Sequence, residues 1–216
     1  MNNCYLDAEA VITFFRMTGR KHIFITGSRG SGKSHLVNNM LKYMSDSFNL
    51  LQSHRTDTPQ VVIKSNLVAD NKEFVIGVPR TSGINPASKG NNMTIIEDGF
   101  INCAIPAIDT HLDTTPERLF VIDELGYLES SCIPFQKAVE KLLDNSHVLA
   151  VIRKQSTEFL NRICNRKDVL VIDIDNTFET LSCIIMASGM SKRFGSNKLI
   201  KAFNGRSLFQ HSVDTS

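Results

Sequence analysis

Two spacings alternate along this chain, one typical of helices and one of strands. Residues 7–17 carry Ala8, Val11, Ile12 and Phe15 on one helical face, and Gly19 ends that pattern. Ile23, Phe24 and Ile25 form a short apolar run that stops at Thr26. From 35 to 44, Leu36, Val37, Met40, Leu41 and Met44 return at helical spacing. Residues 46–58 are polar and read as a loop. Between 60 and 100 the pattern turns to short β-like runs, VVIK (61–64), EFVIGV (73–78) and MTIIED (93–98). Turn-rich segments at 69–72 and 82–86 part them. They predict an antiparallel hairpin region inserted between the first and second core strands. Such an insertion covers a nucleotide, binds a partner, or is a solvated flap without chemistry, the last being the commonest.

Residues 106–112 read as a short helix or a loop. LFVI (119–122) is continuously apolar, as expected of a strand covered on both faces of a parallel sheet. Phe135, Val139, Leu142 and Leu143 line a helix that opens near Pro134, where a missing N–H costs little. A strand at 147–152, a helix at 157–164 and a strand at 169–174 follow. This alternation predicts an α/β fold over residues 1–178, a doubly wound, mainly parallel sheet with an inserted β-hairpin region. A second segment, 179–216, opens on a further strand-like run, LSCIIMA (181–187).

Chemistry enters at 27–34, which reads GSRGSGKS between the first strand and the second helix. G-x-x-x-x-G-K-S in that setting is a phosphate-binding loop. Gly27, Gly30 and Gly32 leave room for backbone N–H groups to approach phosphate oxygens, with Ser28, Arg29 and Ser31 between them. The loop empties into a helix N-terminus, where unpaired N–H groups and the helix dipole favour an anion. Lys33 is placed to reach the β and γ phosphates, and the Ser34 hydroxyl to bind Mg²⁺. The second landmark is Asp123-Glu124 at the end of the LFVI run, where open α/β sheets bind ligands. Asp123 is the expected Mg²⁺ partner opposite Ser34. Glu124 is placed to orient and deprotonate a water. Arg153, Lys154 and Gln155 end the 147–152 strand on the same side, either facing the γ-phosphate or forming a solvated basic turn.

Charge changes this picture little. Lysine and arginine total 24 against 22 acids in 216 residues, a formal net charge of +2, so neither nucleic acid nor a membrane surface is expected as a partner. No apolar run approaches the length that spans a bilayer, and the first residues have acids where an export signal needs a basic start. Five scattered cysteines without a C-x-x-C suit a reducing cytoplasm.

IDELGYLE (122–129), Phe135 and NRKDV (165–169) resemble the small P-loop nucleoside-triphosphatases of the thermophile and cancer-related NTPase family, over about residues 20–178. The resemblance implies Mg²⁺-dependent hydrolysis of ATP, GTP and other nucleoside triphosphates with little base selectivity. Gly27 to Ser34 would hold the phosphates, Lys33 and Glu124 would be catalytic, and Ser34 and Asp123 would hold the metal. Glu129 matches an acidic position of the family block, and an acid there is also suited to capping the next helix. The stretch LQSHRTD (51–57) departs from the family's second strand, which puts the substrate-side surface of the first insertion in question.

SGMSKRFGSNK (188–198) resembles the opening of a MobA-like nucleotidyltransferase domain. The resemblance implies an incomplete Rossmann-like βα segment and a second, incomplete nucleotide site with Gly189, Arg193 and Lys198. The run 199–203, a turn at Asn204-Gly205 and a helix starting at 207–213 fit that opening. Residues 181–216 are too few to bury a core of their own, so no transferase activity is expected from them. The fusion points to a molybdopterin-pathway protein, or the missing transferase domain, as a partner beside the nucleoside triphosphate. Two rivals remain. One is an NTP-binding accessory domain of a molybdenum cofactor cytidylyl- or guanylyltransferase. The other is a small-molecule kinase, disfavoured because Arg29, Arg80, Arg118 and Arg153 form no cluster in the sequence.

Overall fold

A computed structural model describes residues 7–45, 47–80 and 93–176, together with the backbone of 202–203 and 206–207. α1 (Ala8–Thr18) starts where the Asp7 carboxylate accepts from the N–H groups of Glu9 and Ala10 at 3.4 and 3.3 Å. It stops at Gly19, whose φ of 64° suits a residue without a Cβ. Then follow β1 (His22–Gly27), α2 (Lys33–Met44), β2 (Phe48–Arg55), β3 (Val61–Ser65), β4 (Phe74–Pro79) and β5 (Met93–Ile95). A helical stretch comes next, as α3 (Glu97–Gly99), a π segment (Phe100–Ala104) and α4 (Ile105–Thr114). β6 (Leu119–Leu125), α5 (Ile133–Asn145), β7 (His147–Arg153), α6 (Glu158–Cys164) and β8 (Val169–Asp173) complete the unit.

The eight strands form one sheet in the order β5-β4-β3-β2-β6-β7-β1-β8. The five from β2 to β8 in that order run parallel. β3, β4 and β5 extend it antiparallel from the β2 edge. Alternate residues of each parallel strand enter opposite cores. Ile23, Ile25, Leu119, Val121, Leu149, Val151 and Ile172 pack against α1 and α2. Phe24, Phe120, Ile122, Val148, Ala150 and Ile152 pack against α4, α5 and α6, with the Phe100 and Phe135 rings 5.0 Å apart. Phe135, Val139, Leu142 and Leu143 are buried as their spacing predicts. The α/β, mainly parallel architecture therefore stands, with helices on both faces.

Three readings are corrected. Residues 46–58 are not a loop, because 48–55 form β2, a strand inside the sheet. Polarity hid it. Asn49 occupies a buried position, where its Nδ2 donates to His111 Nδ1 and Thr115 Oγ1, both at 2.8 Å. His111 Nε2 lies 2.6 Å from Ser146 Oγ, so the buried polar chain is satisfied. Second, the described strands of the 60–100 region form no solvated flap. They belong to the main sheet, and Ile63 and Ile76 share the core with Phe100. Third, the strand predicted for 93–98 ends at Ile95; of the two options at 106–112 the helix is the one present, inside a longer helical stretch. The π segment falls just before Pro106, which has no N–H for the regular ladder.

Chain contacts divide the molecule into units 1–177 and 178–216. In the second, Ala202–Phe203 pairs antiparallel with Arg206–Ser207. Ser207 is thus in a strand and does not start a helix. The strand-like run 181–187 and residues 208–213 lie outside the described residues. Among the described residues no helix is long and apolar enough to cross a membrane.

Candidate active site

β1 ends at Gly27, and the chain loops through 28–32 before α2 begins at Lys33. Gly30 and Gly32 hold φ of 77° and 95°, left-handed values that a side chain disfavours. Gly27 has no room for a Cβ, which would lie 2.7 Å from Ile174 Cγ1 and 2.8 Å from Ser31 Oγ. No side chain caps α2, so the N–H groups of its first turn stay available to an anion. Lys33 is buried and folds back on the loop, its Nζ donating to Gly27 O at 2.9 Å and Ser28 O at 2.8 Å. Ser31 steadies the same turn, donating from Oγ to Ser28 O at 2.7 Å. Ser28, Arg29, Gly30 and Ser34 are exposed.

A residue that the sequence did not single out closes the other side of the loop. Asp175 Oδ2 accepts from Ser28 N at 2.7 Å and from Ser28 Oγ at 2.6 Å. Lys154 Nζ lies 3.1 Å from that oxygen and 2.8 Å from Asp173 Oδ2. The Ser28 hydroxyl bond, helped by Lys154, holds the Asp175 carboxyl below its ordinary range. The signal for it was D-x-D after an apolar run, at the end of the strand that flanks β1.

β6 carries Asp123 and Glu124 to the same edge of the sheet, with β7 lying between β6 and β1. Asp123 accepts a long bond from Gln52 Nε2 at 3.5 Å, and burial pushes its carboxyl up. A cleft of about 300 Å³ brings Ser34, Gln52, Asp123, Glu124, Tyr127 and Arg153 together. Glu124 Oε1 is ion-paired with Arg153 Nε. Gly189, Arg193 and Lys198 lie outside the described residues.

Glu129 is buried and does not cap α5, whose N-cap Cys132 makes no side-chain bond. Its Oε2 instead accepts from Gly126 N at 2.9 Å, and its Oε1 from Ser53 Oγ at 3.3 Å. It thereby fixes the turn after Glu124. Burial is the main influence on its carboxyl and pushes it up, so charging it in the folded chain is costly. Glu129→Gln keeps an acceptor for Gly126 and is expected to gain stability over wild type as pH rises through the folded pKa. Glu129→Ala strands a buried N–H and is expected to cost about 1–3 kcal/mol in urea unfolding at neutral pH. If both variants lose stability equally at every pH, that account of Glu129 is wrong.

The model of a protein family described as NTPase matches residues 22–182. This chain belongs to that NTPase family. The match takes in the 27–34 loop, Asp123-Glu124 and all eight strands of the sheet. Among curated proteins the NTPase resembles nucleoside-triphosphatase THEP1 of Thermotoga sp. (strain RQ2), 26% identical over 155 residues, covering 71% of this chain and 86% of the relative. THEP1 of Thermotoga maritima is 23% identical over 154 residues, with the same coverage of 71% and 86%. Among solved structures, THEP1 of Aquifex aeolicus superposes with a TM-score of 0.56 at 18% identity, covering 71% of this chain and 89% of that one. A human cancer-related nucleoside triphosphatase does so at 0.53 and 20%, covering 71% and 88%. At these identities the solved structures speak for the fold. This NTPase shares their α/β architecture.

Proposed function

We propose that this P-loop NTPase hydrolyses nucleoside triphosphates, ATP and GTP among them, with Mg²⁺ and little base selectivity. The observation that carries the reading is one cleft lined by Ser34, from the start of α2, and by Asp123 and Glu124, from the end of β6. The Thermotoga relatives are named nucleoside-triphosphatases, which supports the same class.

The donors present suit Mg²⁺. Asp123 is engaged by one long bond from Gln52, and Ser34 is exposed. Among the described residues no three of His, Cys, Asp and Glu group to hold an ion. One hydroxyl and one carboxylate, completed by water and phosphate oxygens, is the kind of set Mg²⁺ takes. Bound there, Mg²⁺ would neutralise charge on the β and γ phosphates. The residues divide the remaining work. Backbone N–H groups of 30–34 cradle the phosphates. Lys33 leaves the carbonyls of Gly27 and Ser28 and turns to the triphosphate, trading two neutral acceptors for charged ones. Glu124 accepts the proton of the attacking water, whose oxygen forms the new bond to phosphorus as the diphosphate leaves.

Phosphate release from ATP, GTP and CTP, each with Mg²⁺ or with EDTA, tests the reading. Turnover of all three within about tenfold, abolished by EDTA, is expected, since positioning and electrostatics act on the phosphates and not on the base. Diphosphate formed only with an added hydroxyl acceptor, with the γ-phosphoryl group found on that acceptor and no free phosphate, would point to a kinase instead. For 179–216 we propose the start of a MobA-like nucleotidyltransferase, tied to molybdenum-cofactor chemistry. Gly189, Arg193 and Lys198 at that family's spacing support it.

A further inference from the structure

β7 is the strand between the phosphate loop and the two acids, and its last residue is Arg153. In register, Arg153 stands beside Gly27, the first residue of the loop. Its stem passes Gly126, where a Cβ would lie 3.4 Å from Arg153 Cδ, and its Nε ends on Glu124 Oε1. The guanidinium therefore starts at the loop and reaches across the cleft to the proposed base. It borders that cleft together with Ser34 and Asp123.

In this arrangement the Glu124 oxygen that accepts from Arg153 is occupied, and it has less to offer a water proton. The pair is weakly held all the same. The Arg153 side chain is 45% exposed and that of Glu124 24%, and accessible pairs contribute little, about 0–1 kcal/mol. Glu129, the other carboxylate beside Gly126, is committed to Gly126 N and Ser53 Oγ. A terminal phosphate carries more charge than one carboxylate and accepts both arms of a guanidinium fork.

We propose that Arg153 exchanges partners during the reaction: it holds Glu124 in the nucleotide-free chain and transfers to the terminal phosphate when a triphosphate binds. The transfer frees Glu124 for water in the step that needs it. The same guanidinium then neutralises charge on the phosphoryl group as its bond to the leaving diphosphate breaks. Arg153 becomes a catalytic residue that senses the γ-phosphate. The proposal rests on the triphosphatase reading, and it adds a discrimination between tri- and diphosphate that the reading alone does not require.

The test compares wild type, Arg153→Ala and Arg153→Lys. Calorimetry with Mg-ATP and Mg-ADP gives the affinity ratio, and phosphate release gives kcat and KM. Arg153→Ala is expected to weaken ATP binding at least about tenfold, as loss of a charged hydrogen bond does, and to leave ADP within about twofold. Its kcat should fall at least about 100-fold, short of the 10³–10⁵ that a transition-state arginine can supply. Arg153→Lys keeps the charge without the fork and should recover part of both. An unchanged ATP-to-ADP preference in both variants, or a kcat raised by Arg153→Ala, would overturn the proposal and leave Arg153 a latch on Glu124. If the wild-type chain binds ATP but releases no phosphate, the triphosphatase reading fails by itself. The affinity ratio still decides whether Arg153 meets the γ-phosphate.

Discussion

A Glu124→Gln chain is expected to bind Mg-ATP within about threefold of wild type while its phosphate release falls by about 10²–10⁴, the usual contribution of a positioned general base. Gln has nearly the size of Glu and can still accept from Arg153, so the cleft keeps its shape. What it loses is the ability to take a proton. Lys33→Ala is expected to fail at the earlier step. It removes the buried cation of the loop, which on this reading pairs with the triphosphate, and ATP affinity should fall by about 100-fold or more, in line with truncating one member of a buried charged pair. The two variants together separate chemistry from binding. Phosphate release by Glu124→Gln at the wild-type rate would remove Glu124 from the mechanism. Tight ATP binding by Lys33→Ala would mean that the loop N–H groups carry the phosphates without it.

The second large effect is on stability in acid, and it comes from the first residue of β1. His22 is buried, its Nδ1 accepts from Val148 N at 3.2 Å, and its Nε2 lies 3.4 Å from Asp168 Oδ2. Burial outweighs the nearby Asp168 and lowers the imidazole pKa from 6.5 to about 4. Between those values the unfolded chain binds a proton that the folded chain refuses. Acidification therefore favours unfolding, and stability present above pH 6.5 is lost as pH falls towards 4. About 2.5 units at about 1.4 kcal/mol each gives a loss of about 3 kcal/mol across that window. That is a large share of the 5–15 kcal/mol typical of a domain. Asp168, held down to about 2 chiefly by Arg166, adds its own loss only at lower pH. His22→Asn keeps an acceptor for Val148 N and cannot titrate. Urea unfolding at pH 7.5 and 4.5 should show a smaller acid loss in that variant than in wild type. Equal losses would exclude His22 as the source.

The phosphate loop was legible because its chemistry is local. Glycines at left-handed φ, a strand before and a helix after leave one arrangement for residues 27–34. Asp123-Glu124 was legible because a fully apolar strand announces a parallel sheet, and acids at its end fall on the ligand edge. β2 was not legible, because Asn49 breaks the apolar alternation. Its burial depends on His111 and Thr115, which lie 62 and 66 residues further on. The fate of Glu129 was missed for a similar reason. As a surface acid it would cap α5, and its burial against Gly126 and Ser53 appears when β2 is placed beside β6.

The sequence by itself determined the strands of the parallel core other than β2, the helices beside them, the glycine-rich loop at 27–34 and the two acids that end β6. Backbone preference and side-chain period act over a few residues, so they are written locally. The tertiary structure decided which strand ends stand side by side, because burying both faces of a sheet is a property of the whole chain. Placing β7 between β1 and β6 put Arg153 on Glu124, 29 positions away, and placing β8 beside β1 put Asp175 on Ser28 across 147 positions. Neither pairing can be read from one segment alone, because the order of the strands is what brings the two residues together.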